Sequence, residues 1–451
     1  REFPVDQIKV NNDNFWPLFR SMIYGQLLDG LIMIFPKSSN TIAQKLVNSS
    51  FKCWRWFSRG NYVFISNEME RKNQGEIVID KLAEGIIMRL GYHQSLYVEQ
   101  AKKRHLNGRS YGKKRVVSFD LVLVLAGLYK KIRKPGYRAR IFGEDVYKDI
   151  IEAYSLKSDY QEMLDTFLSK VYILQFIFRL IKPKAIFITD YGNLSVIFAA
   201  KKLGIPVIEF QHGLIGREHP YYHPAKPLES KFRPDYILVF GTNDVEGLSH
   251  GNYVPLQNII PIGNYYLNSL VDQPVNVEIL EILKKYEFSI CVPTDFTTHE
   301  YLVNFICAVA VNLPNYVFII SPRQLNLDDN HGNLPSNVKI IVDYSFQEIV
   351  RHCDFNSCTN STCCLEAISF GARNILIDED GLATQYFGNV LLDSNITRFA
   401  KSKENYIQHI TTMAPMEKTK VRSSNSGIYA EGTKEQINEV INLIATLNRK
   451  Q

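Results

Sequence analysis

The stretch AIFITDYGNLSVIFAAKKLGIPVIEFQHG, residues 185–213, decides the fold. Its first apolar run, Ala185 to Thr189, breaks at Asp190-Tyr191-Gly192. A short amphipathic helix follows and closes at Gly204. A second apolar run, Pro206 to Phe210, then ends in Gln211-His212-Gly213. Strand, polar loop, helix, strand, polar loop is the βαβ pattern of a parallel sheet. In such sheets ligands bind beyond the carboxyl ends of the strands, where this reading places both Asp190 and His212. Gly213 is expected to turn the backbone directly after the imidazole and to leave it uncrowded. An imidazole that titrates near neutrality can take a proton from a hydroxyl or steady a leaving phosphate. His212 and Asp190 are therefore the candidate catalytic residues, although Asp190 also suits the N-cap of the helix starting near Asn193. Around them, Gln211, Glu218, His219 and Tyr222 are read as the acceptor side, the last three in a mobile aromatic loop. Pro220 and Pro224 break the helical HxxxH geometry that His219 and His223 would need for a metal, so no metal site is expected.

Working outward, Tyr62 to Ser66 and Leu96 to Glu99 read as strands and Glu144 to Ile181 as one or two helices. Pro234 to Gly241 supplies a further strand. After the Gly-, Asn- and Pro-rich segment Gly247 to Asn258 the alternation restarts. Phe288 to Val292 is a strand ending in Pro293-Thr294-Asp295-Phe296-Thr297-Thr298, and Tyr316 to Ile320 ends in Ser321-Pro322-Arg323. The strand Asp354 to Cys358 runs through Thr359-Asn360-Ser361-Thr362 into a helix that Gly371 closes. Free N–H groups at that helix start favour an anion, and Arg323 offers planar bidentate donors for phosphate oxygens. Thr294, Thr298, Arg323, Ser361 and Thr362 thus form a candidate donor-phosphate site, with Glu366 placed to accept from a ribose diol. The expected organisation is α/β: two Rossmann-like domains, 1–255 and 256–426, facing each other across a cleft, and a C-terminal helix in 427–451. Ile437, Val440, Ile441 and Ile444 give that helix one apolar stripe, free to pack on either domain.

Composition bounds the function. With 45% hydrophobic and 22% charged residues among 451, the chain is globular rather than disordered or fibrous. No apolar run approaches the roughly 18 uninterrupted residues of a membrane span. The opening Arg1-Glu2-Phe3 lacks an initiator Met and any signal-peptide pattern, as in a fragment of a longer chain. Seven cysteines without zinc-like spacing suggest reduced thiols and a cytoplasmic setting. The net charge of +6 is uneven, for residues 102–140 hold thirteen Lys or Arg and one acid, Asp120. That run is either a solvated face or a patch for anionic lipid or an acidic glycan; no nucleic-acid motif accompanies it.

Gly204-Ile205-Pro206-Val207-Ile208-Glu209-Phe210-Gln211-His212-Gly213, the His-Pro-Tyr loop, Pro234-Asp235-Tyr236, and Cys358-Thr359-Asn360-Ser361-Thr362 with Glu366-Ala367 and Gly371 carry a resemblance over residues 180–380. The chain resembles bacterial capsule and O-antigen glycosyltransferases of the two-domain GT-B type, a group neighbouring the Kdo and glycerophosphate transferases. Where related proteins carry an Arg-x-His-Pro-like element, this chain has Ser321-Pro322-Arg323-Gln324. The resemblance implies a metal-independent, cofactor-free transferase whose co-substrate is a nucleotide sugar bound by the second domain. Its acceptor would be a growing surface polysaccharide or lipid-linked glycan, met by the first domain in the cytoplasm or at the inner membrane face. A CMP-Kdo or CDP-glycerol-type transferase, a nucleotide-sugar 2-epimerase and a non-enzymatic glycan-binding protein stay open as alternatives.

Overall fold

Seven strands are long enough in Val, Ile and Phe to be buried on both faces, and they form one all-parallel sheet: β1 (Tyr62–Asn67), β2 (Ser95–Gln100), β3 (Arg115–Ser118), β4 (Ala185–Ile188), β5 (Val207–Phe210), β6 (Tyr236–Val239) and β7 (Ile259–Pro261). Six more make a second all-parallel sheet: β8 (Phe288–Thr294), β9 (Tyr316–Pro322), β10 (Val338–Ile340), β11 (Phe355–Asn356), β12 (Arg373–Ile377) and β13 (Thr397–Ala400). This computed structural model describes every residue except 1–2, 30–41, 59, 102–103, 134–138, 158, 216–218, 220, 272, 296, 324–332, 431–433 and 450–451. The chain divides into two compact units, one of residues 1–240, 244–265 and 433–451, the other of 241–243 and 266–432.

The first sheet runs β7-β6-β5-β4-β1-β2-β3 and the second β10-β9-β8-β11-β12-β13. Both orders grow outward from a first strand, then reverse and grow from its other side, as in doubly wound dinucleotide-binding sheets. The reversal opens a crevice between β1 and β4 in one unit and between β8 and β11 in the other. Seven helices matter below: α1 (Ile42–Ser49), α2 (Glu84–Leu90), α3 (Asp120–Ile132), α4 (Tyr160–Ile181), α5 (Leu194–Lys201), α6 (His299–Ala310) and α7 (Cys363–Ser369). The segment Glu144 to Ile181 holds two helices, the second being α4, and Ser118 to Tyr129 resolves into the end of β3 and most of α3.

Alternation along the strands sorts the core of the first unit. Val63, Ile65, Ile186, Ile188 and Val207 face one hydrophobic cluster, covered by α3, α4 and α5. Phe64, Phe187 and Phe210 face the other, their rings stacked at 4.4 and 5.7 Å across three neighbouring strands. The C-terminal helix, α8 (Lys434–Arg449), packs on this second face through Val440 and Ile444, beside Ile86 and Ile87 of α2. Its stripe therefore belongs to the first unit. The expected boundary after residue 255 falls short as well: β7 pairs in parallel with β6, Ile237 against Ile259, and this pairing ties residues 259–261 to the first sheet. No described helix is long and apolar enough to cross a membrane.

The basic run 102–140 is not one exposed face. Lys114 lies inside, donating to Glu84 at 2.9 Å and to the Val78 carbonyl at 2.8 Å. Glu84 also accepts from Tyr92 Oη (2.7 Å) and from the Asp80 N–H (3.1 Å), so its carboxylate is saturated without water. Removing one partner strands the other charge in the core. Lys114→Met should destabilise the chain by about 3–5 kcal/mol, and the double variant Lys114→Met/Glu84→Gln should recover most of the loss, both read by urea denaturation.

Candidate functional site

In the second unit the structure brings the predicted donor residues to one sheet edge, around the crevice between β8 and β11. Thr294 pairs with Pro322 at the ends of β8 and β9, and the Arg323 N–H donates to the Thr294 carbonyl at 2.8 Å. Ser361 and Thr362 end the loop that leads from β11 into α7. Arg323 and Thr362 are exposed, and Thr362 makes no side-chain cap of its own helix. Ser361 Oγ accepts from the Cys363 N–H at 3.3 Å.

Other hydroxyls are already engaged. Thr294 Oγ1 is hydrogen-bonded to His299 Nδ1 at 2.7 Å. Thr298 N-caps α6 by position, but its hydroxyl and N–H both donate to Asp295 Oδ1, at 3.1 and 3.0 Å, where those of Thr297 join them. Burial opposes ionisation of Asp295, yet these donors outweigh it and hold its carboxyl below the usual range. The Asp295 carboxylate therefore sits at the start of α6. Thr298 is thus a structural neighbour of the site rather than a free ligand. Glu366 is half-buried and accepts from Gln347 Nε2 at 2.6 Å.

The first unit gathers a different chemistry at its own sheet edge. β4 and β5 pair Ile188 with Glu209, so Asp190 and His212 leave the sheet side by side. Asp190 Oδ1 accepts from the Gly192 N–H at 2.6 Å, and a side chain on Gly192 would press on that oxygen at 3.0 Å. His212 Nδ1 is buried with no hydrogen-bond partner among the described residues. Burial lowers the His212 pKa, against the pull of Asp190 and Glu70, while Lys81 adds to the lowering. The imidazole is therefore neutral near pH 7, the form that accepts a proton. Gly213 does not do what the sequence suggested: its φ is unremarkable and an added Cβ would meet nothing within 4 Å. His212 is half-buried at the strand end, and that glycine does not set its exposure.

Glu70 and Lys81 escaped the sequence reading. They flank the hairpin Arg71–Gln74/Ile77–Asp80 beyond β1, and pair at 3.2 Å. Next to them Asp80 is fully buried, accepting from the Leu82 and Ala83 N–H groups (2.9 and 2.8 Å) and from Tyr97 Oη (2.8 Å). Burial and the Glu70 charge push its carboxyl up to about 6. The available signal was the polar run Ser66-Asn67-Glu68-Met69-Glu70 at the end of β1, which gains meaning only once β1 is known to border the crevice.

The acceptor-side assignments divide. Gln211 is buried and spent on the backbone: Oε1 accepts from the Phe240 N–H at 2.7 Å, and Nε2 donates to the Gly213 carbonyl at 2.9 Å. It ties the tips of β5 and β6 together and has no reach toward a substrate. Tyr222 is likewise in the core, its hydroxyl donating to Glu209 at 2.8 Å, with Tyr253 on the other carboxylate oxygen. Tyr222 is thus packed inward rather than open. Glu218 lies outside the described residues. His219 stays at the site, 4.8 Å from the Tyr222 ring, and burial with neighbouring His212 and His223 brings its pKa down to about 4. Tyr191 completes the wall, 5.4 Å from the His212 ring and stacked on Tyr221 at 4.3 Å. Beside this edge opens a cavity of about 530 Å³, lined among others by Ser21, Gln26, Thr166, Lys170, Gly192 and Ser195. Burial, then Lys45, lowers the Lys170 pKa.

No sequence family matches the chain, and no curated protein sequence does. Solved structures do resemble it. A Listeria monocytogenes protein assigned as a UDP-N-acetylglucosamine 2-epimerase aligns at TM-score 0.52 and 12% identity, over 87% of this chain and 98% of its own. The calicheamicin glycosyltransferase CalG4 aligns at 0.53 and 12%, over 86% and 99%. A kitacinnamycin glycosyltransferase aligns at 0.50 and 11%, over 86% and 99%. At such identities the likeness shows the fold, two Rossmann-like α/β domains of the GT-B kind.

Glu209 gives the site a measurable signature. Burial pushes its carboxyl up to about 7, with Asp190 adding to it, although the Tyr253 and Tyr222 hydroxyls pull the other way. A raised native pKa means that the unfolded chain ionises first, so the contribution is present below about pH 4.5 and lost as pH rises through about 7. Glu209→Gln should remove this loss, flattening stability between these limits by up to about 3 kcal/mol in pH-resolved chemical denaturation.

Proposed function

We propose that the chain is a metal-independent glycosyltransferase, moving a sugar from a nucleotide-activated donor to a surface polysaccharide or lipid-linked glycan. The observation that carries this is His212: a neutral, half-buried imidazole at a strand tip beside Asp190, its Nδ1 without a hydrogen-bond partner among the described residues. In this reading the second unit holds the nucleoside diphosphate at its crevice. Arg323, the Thr362 hydroxyl and the Ser361 loop meet the phosphates, and Thr294 fixes Arg323 through the backbone. His212 takes the proton of the acceptor hydroxyl as its oxygen bonds to the anomeric carbon. The bond from that carbon to phosphate breaks, and the electron pair leaves with the nucleotide. Asp190 steadies the imidazolium by its charge, and the cavity with Lys170 seats part of the acceptor.

A second reading, epimerisation of a nucleotide sugar, is favoured by the fold shared with the Listeria monocytogenes protein assigned as a UDP-N-acetylglucosamine 2-epimerase, at TM-score 0.52. Incubation with a donor panel separates the two: transfer releases nucleotide only when acceptor is present, whereas epimerisation yields an isomeric nucleotide sugar without it.

His212→Ala should lower turnover on the order of 10²–10⁴-fold. Its melting temperature should hardly move, because a strand-tip imidazole contributes few core contacts. Arg323→Ala should weaken nucleotide binding roughly 10- to 100-fold, as expected for a charge-assisted hydrogen bond, and leave acceptor binding unchanged. Thermal shift with UDP, GDP, CMP and CDP identifies the base by mass action. If none of them stabilises the protein, the reading fails.

A further inference from the structure

The helical face of the first unit exposes apolar side chains where a soluble surface would be polar. α4 buries Leu164, Phe167, Val171 and Leu174 on one side, yet Tyr172, Phe176 and Leu180, spaced four apart, are each half exposed on the other. A helix apolar all round belongs in a core or against a partner. Its neighbour α3 repeats the pattern with Leu128 and Ile132, the latter 79% exposed, and α1 repeats it with Ile42 and Leu46, Ile42 being 81% exposed. α3 packs on both α1 and α4, and Tyr129 of α3 stacks on Tyr172 of α4 at 4.3 Å, so the three stripes adjoin. The turn Cys53–Phe57 packs on α4 and adds Trp54, 65% exposed.

Charge says what covers this face. Over these elements, residues 42–58, 120–133 and 160–184 contain ten Lys or Arg against three acids, Asp120, Glu162 and Asp165, of which Asp120 is buried. Glu162, at the start of α4, is engaged by Lys130. A second copy of the same face would bring like charges together, whereas an anionic surface would meet cations and apolar side chains at once. Protruding aliphatic side chains, Trp and Tyr at the boundary, and flanking lysines together suit the interface of a lipid bilayer.

We propose that this face seats the protein on an anionic phospholipid bilayer. The inference deepens the reading above, in which the acceptor is lipid-linked, by naming where the chain meets the lipid. It also relocates the contact expected from the basic run 102–140. Only the α3 part of that run takes part, and the surface is assembled from three segments distant in sequence.

Vesicle flotation tests this with the whole chain. It should bind vesicles of phosphatidylcholine containing roughly a third phosphatidylglycerol, release in high salt, and bind pure phosphatidylcholine far more weakly. The exposed-charge variant Lys131→Gln/Arg179→Gln/Lys182→Gln should lose partitioning on the order of 100-fold, at about fivefold per cation. Phe176→Ser/Ile132→Ser should lose at least roughly tenfold. Both sets should keep the wild-type melting curve and the wild-type thermal shift with nucleotide, so that failure here is distinct from failure of the transferase reading. Equal binding to neutral and anionic vesicles overturns the proposal, as does no binding to either. So does a dimer in sedimentation that Phe176→Ser dissolves, since a second copy would then own the face.

Discussion

Parallel strand pairing is the constraint from which the functional geometry follows. When every strand of a sheet points the same way, every carboxyl end, and every loop leaving it, reaches one edge. The reversal of strand order then separates two of those loops and opens a crevice between them. In one unit this places Thr294 and Arg323 opposite Ser361 and Thr362. In the other it brings His212 and Asp190, which follow β5 and β4, near Glu70 and Lys81 beyond β1. None of these groups is close to its partners along the chain.

The polar residues around the first crevice are held by internal charges. Glu99, wholly buried at the end of β2, accepts two hydrogen bonds from Arg71 at 2.7 and 2.6 Å, and is in contact with His105 Nδ1 and Tyr111 Oη. Burial opposes its ionisation, but His105 and Arg71 hold its carboxyl at about 2. Arg71 opens the hairpin that Glu70 and Lys81 flank, so this anchor fixes the groups whose charges act on His212. The arrangement depends on completeness, because any one of these side chains left alone would be an unpaired buried charge.

The positions of some candidate residues were readable because a place at a strand end is set by local pattern. His212, Asp190, Arg323, Ser361 and Thr362 all lie where the alternation of apolar runs and polar loops put them. Others were misread because a polar side chain near a strand end has two fates. Gln211 and Tyr222 turn inward to satisfy the Phe240 N–H and the Glu209 carboxylate, while Thr298 turns back to Asp295. Composition and spacing are the same for either fate. The partner that decides it comes from a different strand, or from the local turn, and only folding supplies it.

The sequence by itself determined the kind of architecture. Local periodicity and turn residues specify strand, loop and helix, and their alternation leaves a parallel sheet as the way to bury both faces of each strand. It therefore also determined which loops would lie at the chemical edge. Strand order was left to tertiary structure, and with it the selection of β1 as a wall of the crevice, the return of α8 to the first unit, and the inward turn of Gln211. These depend on contacts between residues up to hundreds of positions apart, such as Ile86 with Val440, whose energies are set by packing and desolvation in the assembled core. No local pattern encodes them.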